Sequence, residues 1–157
     1  MTSTDVEVVS LRQATAEDAR AMADLYTEAR IHAVPQMPPA LHTNAEDRAY
    51  LARRIAEPEV TIWVAERGGE LLGFATCTPT FLDSLYVRPD LTGQGLGTLL
   101  LDVVEATHPE GYGLWVFTSN LGARRFYARR GLVEVEHTDG SGNEEKSPDI
   151  RMEWRPA

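Results

Sequence analysis

The order of patterned segments predicts a mixed α/β domain built around one mostly antiparallel sheet. Three observations carry this. Gly68-Gly69 separates two β-patterned runs, "EVTIWVAER" and "ELLGFATCT", which marks a tight hairpin and therefore an antiparallel pair. Thr43 and Glu46 form a capping box ahead of "NAEDRAYLARRIAE", so a helix precedes that hairpin. In "LYVRPDLTGQGLGTLLL", Leu85 to Leu101, a β-branched and aromatic run passes through Gly93, Gly95 and Gly97 into an aliphatic helix.

In chain order, "VEVVSLRQA" (6–14) is a first strand. "TAEDARAMADLYTEAR" (15–30) is a helix capped by Thr15, with Glu17 and Asp18 in the first turn, where the peptide dipoles favour negative charge. Ala19, Met22, Ala23, Tyr26 and Ala29 form its apolar stripe. Pro35, Pro38 and Pro39 make "IHAVPQMPPALH" a loop. The second helix ends before Pro58, and Tyr50, Leu51 and Ile55 make one side of it. The hairpin strands follow, Pro79 interrupts, and "FLDSLYV" is a further strand. Beyond the glycine turn comes the helix "GTLLLDVVEATH". "GLWVFTS" is a nearly continuous apolar run, which predicts a strand buried on both faces. "LGARRFYARR" is a helix stopped by Gly131 in a left-handed cap. "LVEVEHT" and "DIRMEW" are the last strands, joined by the polar loop "DGSGNEEKSP".

A chain of 157 residues suits a single domain over 1–157, and 43% hydrophobic with 25% charged residues suits a soluble one. No apolar run reaches the roughly 20 residues that span a bilayer. "MTSTDVEVVSLRQ" lacks the basic start and apolar stretch of a secretion signal. The lone cysteine, Cys77, has no internal partner and reads as a buried structural thiol, so a cytoplasmic location is expected. The net charge of -9 disfavours nucleic acid, whose binding depends on phosphate neutralisation, and favours an amine-bearing partner through field focusing. No metal-ligand set is read in the sequence.

The glycine turn carries the most chemistry. A helix start leaves backbone N–H groups unpaired and partially positive, and glycines let the chain come close to an anion. Strand, glycine turn and helix together make a phosphate cradle. The spacing is neither G-x-G-x-x-G, since Thr98 takes the sixth position, nor a P-loop, since no Gly-Lys-Ser/Thr follows. The alternative is a turn that only lets strand and helix pack closely.

"VRPDLTGQGLGTLLL" resembles the acetyl-CoA signature of the GNAT superfamily of N-acetyltransferases: Gln or Arg, two residues, Gly, one residue, then Gly or Ala. Residues 92–97 match at Gly95 and Gly97, with Thr92 in place of Gln or Arg. The stretch from Asn120 through Ala123, Phe126, Tyr127 and Gly131 resembles the family's N-x-x-A-x-x-F-Y-x-x-x-G-F, with Leu132 in place of the last Phe. The element order agrees along nearly the whole chain. The resemblance implies a GNAT-like fold with about four helices and one strongly twisted sheet, in which the strands holding "LDSLYV" and "GLWVFTS" lie parallel and splay apart. It implies acetyl-CoA as acyl donor, with no metal. Pantetheine would enter the splayed gap along Leu85, Tyr86 and Val87. The loop from Thr92 would hold the pyrophosphate on amides of Gly93, Gln94, Gly95, Leu96, Gly97 and Thr98. Asn120, Ala123, Phe126 and Tyr127 complete the implied cofactor set. Homodimers, often through the C-terminal strands, are common in the family.

The implied reaction is attack of a neutral amine on a thioester. It needs an oxyanion donor, a base for the amine and an acid for the thiolate. The Leu85 N–H is the matching oxyanion donor. Tyr127 is the candidate acid, since its reference pKa of about 10 keeps it protonated at neutral pH; the plain alternative is a core tyrosine. Phe81 stands where many members carry Glu. Asp83, two residues on, falls by alternation on the same strand face as Phe81 and Leu85 and is the first candidate base. His42, with a reference pKa of about 6.5, and Glu145, beside Glu144, are candidate acceptor-binding residues; solvated surface groups are the alternative. Arg124, Arg125, Arg129 and Arg130 are either a patch for the 3′-phosphate or a helix face paired with Glu134 or Glu136. The leading expectation is an N-acetyltransferase acting on a primary amine, a small molecule in preference to a protein. The alternative is a non-catalytic acetyl-CoA-binding sensor or interaction module.

Overall fold

The computed structural model describes residues 8–156. Strand β1 (Ser10–Gln13) leads through one 3-10 turn to helix α1 (Ala19–His32), then α2 (Asn44–Ala56). Strands β2 (Thr61–Arg67), β3 (Glu70–Cys77) and β4 (Leu82–Val87) precede α3 (Leu96–Thr107). After β5 (Tyr112–Phe117) come α4 (Leu121–Arg129), β6 (Val133–His137) and β7 (Asp149–Trp154).

Neighbouring strands pair antiparallel in two groups, β1-β2-β3-β4 and β5-β7-β6. The groups meet at one parallel bridge, Phe81 with Gly113, where the Gly113 N–H donates to Thr80 O at 3.0 Å. Beyond that bridge β4 and β5 separate, so the splayed central pair divides the sheet.

Register shows which backbone groups the division leaves open. Arg88 N–H donates to Leu72 O, so the alternating hydrogen-bonded pairs between β3 and β4 include Phe74 with Tyr86 and Thr76 with Ser84. Leu85 and Val87 fall between them and turn both N–H and C=O away from β3, toward β5. On β5, Thr118 N–H donates to Pro148 O, and the same alternation turns Trp115 and Phe117 away from β7, toward β4. Two unpaired strand edges thus face each other across the gap.

Alternation also splits the core between two faces. Ile62, Val64 and Phe74 pack with Met22, Ala23, Leu25 and Leu51 of α1 and α2. Ala65, Ala75 and Cys77 pack with Leu100, Leu101 and Val104 of α3 and with the β5-β7 strands. Cys77 is the buried thiol expected, and burial pushes its pKa up to about 12.

The structure corrects four local expectations. β1 covers only Ser10–Gln13; residues 6 and 7 of the expected strand lie outside the described residues. α1 runs on to His32, because the proline restriction reaches only the residue before Pro35. Tyr50 is half exposed, its ring under the Arg53 guanidinium, so Leu51 is the buried anchor of α2. β5 is not buried on both faces: Trp115 is 46% exposed because its side opens on a cleft.

Of the three expected caps, those at Thr43 and Gly131 form as read; Thr15 opens the 3-10 turn Ala16–Asp18 rather than α1 itself, its N–H donating to Asp18 Oδ2 at 2.6 Å. Thr43 Oγ1 accepts the Glu46 N–H at 3.2 Å, and Glu46 Oε1 accepts the Thr43 N–H at 3.0 Å. At the end of α4, Gly131 has φ 95°, its N–H donates to Ala128 O, and the Leu132 N–H reaches back to Tyr127 O at 3.1 Å. This closure drives Leu132 into the core and sets the pitch of the helix that carries Tyr127. An added Cβ at Gly131 would meet only Trp154, at 3.8 Å, so the cost of substitution is the backbone conformation itself. Gly131→Ala is expected to lose roughly 1–2 kcal/mol of stability in urea unfolding; an unchanged midpoint would show that the cap carries no strain.

Candidate active site

A cleft of about 1280 Å³ opens between the α1–α2 region, the splayed strands, α4 and the β6–β7 loop. Leu85, Tyr86, Asn120, Ala123, Tyr127, Asp83, His42 and Glu145 all line it. Val87, the turn from Thr92 to Thr98 and Phe126 lie outside its lining.

The turn is built as an open helix start. Gly93 and Gly95 have φ 80° and 84°, and an added Cβ at either would meet nothing within 4 Å. Glycine is used there for conformation, with empty space in front. No side chain caps α3 at Gly95, and the amides of Leu96, Gly97 and Thr98 occupy the first turn, where an α-helix has no partners for them. Gln94 lies between the two left-handed glycines. Thr92 Oγ1 donates to Pro89 O at 3.2 Å and closes the preceding turn. A Cβ on Gly97 would touch Phe126 at 3.4 Å, so Phe126 props the turn from behind.

At the start of α4, Asn120 accepts the Ala123 N–H through Oδ1 at 3.3 Å. Tyr127 packs edge-on against Phe126, ring centroids 5.2 Å apart. Burial alone raises its pKa well above the ordinary phenol value, so the hydroxyl keeps its proton.

Asp83 is the extra residue of a bulge: Leu82 pairs with Cys77 and Ser84 with Thr76, leaving Asp83 unmatched. The bulge breaks the alternation between Asp83 and Leu85: Leu82 and Leu85 both pack toward the α3 side, while Asp83 meets Arg54 of α2. Asp83 opens on the cleft, while Phe81 lies over Gly113 and lines a separate recess of about 340 Å³. Burial raises the Asp83 pKa, and the Arg54 guanidinium, which also binds Glu57 at 2.9 Å, opposes that rise. His42 Nε2 meets Glu144 Oε1 at 2.5 Å and its Nδ1 lies 3.5 Å from Glu46, so it ties the start of α2 to the β6–β7 loop.

Of the basic helix face, Arg124 is committed to Glu134 at 2.9 Å, and Arg130 to Asp102 and Glu105. The expected pairing with Glu134 therefore holds for Arg124, while Arg130 is paired with carboxylates of α3 instead. Arg30, Arg54 and Tyr26 also line the cleft and escaped the sequence reading. One signal existed: Arg30 lies four residues after Tyr26 and seven after Ala23, on the buried stripe of α1. Among the described residues no cluster of His, Cys, Asp or Glu is placed to hold a metal, and no helix is long and apolar enough to cross a membrane.

A sheet parted at its centre beside an open helix start defines the class of acyl-transfer folds, and comparison with known proteins names the family. The model described as the acetyltransferase (GNAT) family matches residues 19–132. An uncharacterized N-acetyltransferase of Archaeoglobus fulgidus is 30% identical over 123 residues, 63% of this chain and 83% of that protein. The peptidyl-lysine N-acetyltransferase YiaC of Escherichia coli is 36% identical over 75 residues, 47% of this chain and about half, 51%, of its own length. The PaiA N-acetyltransferase of Thermoplasma acidophilum, solved with coenzyme A, superposes with a TM-score of 0.76 at 19% identity, covering 95% of this chain and 99% of that one. The chain belongs to the GNAT family and is an acyltransferase.

The His42 bridge makes a pH prediction. Glu144 raises the His42 pKa above 6.5, so the bridge is intact below the unfolded value and is lost as pH climbs through the higher folded one. An NMR titration is expected to place the His42 midpoint above 6.5, and Glu144→Gln to lower it; identical midpoints in both proteins would mean that the bridge does not form in solution.

Proposed function

We propose that this chain transfers an acetyl group from acetyl-CoA to the primary amine of a small molecule, by direct attack in a ternary complex. The observation that carries this reading is the pair of backbone groups on Leu85 and Val87, turned away from β3 into the gap, with the open start of α3 following β4 and with Leu85 and Tyr127 both lining the cleft. The residues present fit the donor. The gap edge offers N–H and C=O groups to an amide-bearing arm, and the amides from Gly93 to Thr98 offer partial positive charge to a pyrophosphate.

Acetyl-CoA would supply an activated carbonyl with a thiolate leaving group. The Leu85 N–H donates to the carbonyl oxygen as charge grows there, since it has no β3 partner to give up. As the amine nitrogen bonds to the carbonyl carbon it turns from a base into an acid, and Asp83 accepts its proton, directly or through water. As the carbon–sulfur bond breaks, the Tyr127 O–H donates a hydrogen bond to the departing sulfur. Because burial makes this phenol a weaker acid than a thiol, its proton stays on oxygen, and solvent returns to sulfur the proton taken from nitrogen. The rim carboxylates Glu46, Asp47, Glu144 and Glu145 favour an amine over a neutral acceptor.

Two loop ties support a small acceptor. His42 meets Glu144 across the cleft mouth, and Ser119 Oγ donates to Gln36 O at 2.5 Å. The loop after α1 is thereby fastened to both neighbouring segments, which narrows the entrance a peptide would have to use. The E. coli relative is named for peptidyl-lysine, and a lysine-bearing peptide belongs in any acceptor panel.

The test is release of free thiol from acetyl-CoA across an amine panel. Tyr127→Phe is expected to lower kcat about 10²-fold with little change in acetyl-CoA affinity, and Asp83→Asn to lower it by a similar factor. Unchanged turnover in either variant would remove that residue's role. Tight acetyl-CoA binding with no transfer to any amine would favour a sensor over an enzyme.

A further inference from the structure

Arg30 is the one arginine among the described residues that is buried, at 4% exposure, and it forms no ion pair there. Its Nη1 donates to the Tyr26 hydroxyl at 2.8 Å and its Nη2 to Pro38 O at 2.7 Å. Neither acceptor is charged, and Nε is buried with no partner. The guanidinium also sits 5.6 Å from the centroid of the Tyr26 ring. More exposed arginines are treated differently: Arg12, Arg54, Arg88, Arg124, Arg130 and Arg151 each hold a carboxylate. Asp47 feels the charge of Arg30 without pairing with it. Burying a cation without a counter-charge is costly, by several kcal/mol per ion, so a site that keeps one is built for an anion that arrives.

Most of the orphaned groups belong to residues of one cleft. Among the described residues, four buried side-chain polar atoms lack a partner: Arg30 Nε, Arg54 Nε, Thr76 Oγ1 and Trp63 Nε1. The first three belong to residues lining the same cleft. Arg54 already has Asp83 and Glu57 to balance its charge; Arg30 has nothing.

We propose that the acceptor is an amino acid, or a small amine bearing a carboxylate, and that Arg30 anchors that carboxylate through its guanidinium fork. This rests on the acetyl-transfer reading above. A guanidinium presents paired N–H groups that match a carboxylate's two oxygens. Asp83, Glu46, Asp47, Glu144 and Glu145 line the same cleft and would repel a dianion such as phosphate. An ammonium and a carboxylate on one small molecule satisfy both halves of the lining: the cation side meets the acidic rim, and the anion side meets Arg30.

The experiment compares amino acids that lack an acidic side chain with their decarboxylated amines, including lysine against cadaverine and phenylalanine against phenethylamine. Each pair is measured twice on the full chain, by calorimetric binding in the presence of coenzyme A and by thiol release from acetyl-CoA. For the preferred acceptor, the carboxylated member is expected to bind about 10–100-fold more tightly, the range for hydrogen bonds to a charged group, with the difference in KM rather than kcat. Arg30→Gln is expected to abolish that difference and leave acetyl-CoA affinity unchanged; Arg30→Lys, which keeps the charge but not the fork, is expected to recover part of it. The wild-type comparison stands even if a variant does not fold. Equal or better binding of the plain amines, binding by no amino acid, or a preference that survives in folded Arg30→Gln each overturns the proposal. Carboxylate-dependent binding without thiol release would instead sink the transfer reading and leave the anchor standing.

Discussion

A sheet that stops hydrogen-bonding to itself is the constraint on which the rest of this structure depends. Buried N–H and C=O groups are expensive to leave unpaired, and Leu85, Val87, Trp115 and Phe117 turn theirs into a gap. Collapse of the two edges onto each other would relieve the cost, yet they are held apart. β4 is fastened to β3 and to α3, β5 is fastened to β7, and the only bridge lies at one end, Phe81 with Gly113. Even that end is tight: a Cβ on Gly113 would stand 2.8 Å from the Phe81 ring. The gap is therefore a hinge-like wedge, closed at Gly113 and opening toward Leu85, Tyr127 and the start of α3. A ligand arm that supplies amide groups would complete the sheet, and the proposed donor site rests on that backbone defect.

The cleft beyond the gap is electrostatically divided. The chain carries 24 acidic against 15 basic residues, and four of the acids, Glu46, Asp47, Glu144 and Glu145, line the cleft. The cations are deeper: Arg54 against Asp83, and Arg30 without a carboxylate. Net charge alone would forecast only a cationic guest. Burial reverses that forecast locally, because an unpaired guanidinium in a low-dielectric wall outweighs several solvated carboxylates. Tyr127 obeys the same rule: the burial that raises its pKa keeps the phenol protonated.

Local rules made much of the fold legible. The Thr43 capping box, the Gly68-Gly69 hairpin and the Gly131 cap each need only a few neighbouring residues, and each formed where the pattern put it. What escaped were features decided by distant partners. The bulge at Asp83 depends on how β4 meets β3, so simple alternation placed Asp83 on one face with Leu85, which packs on the other side. Trp115 looked buried in an apolar run, but its neighbours are missing on the side where the sheet parts. Arg30 sat in plain view on an apolar helical stripe, and only the three-dimensional count of its partners shows that its charge is unmatched.

The most direct measurement is an amide NMR titration with acetyl-CoA, with ATP and NAD run beside it. The wedge and the open helix start are expected to respond together: amides of Leu85, Val87 and Gly93 to Thr98 shift and saturate with acetyl-CoA alone. Saturation that leaves Leu85 and Val87 unmoved, or an equal response to ATP, would contradict the claim that the broken sheet is the donor site.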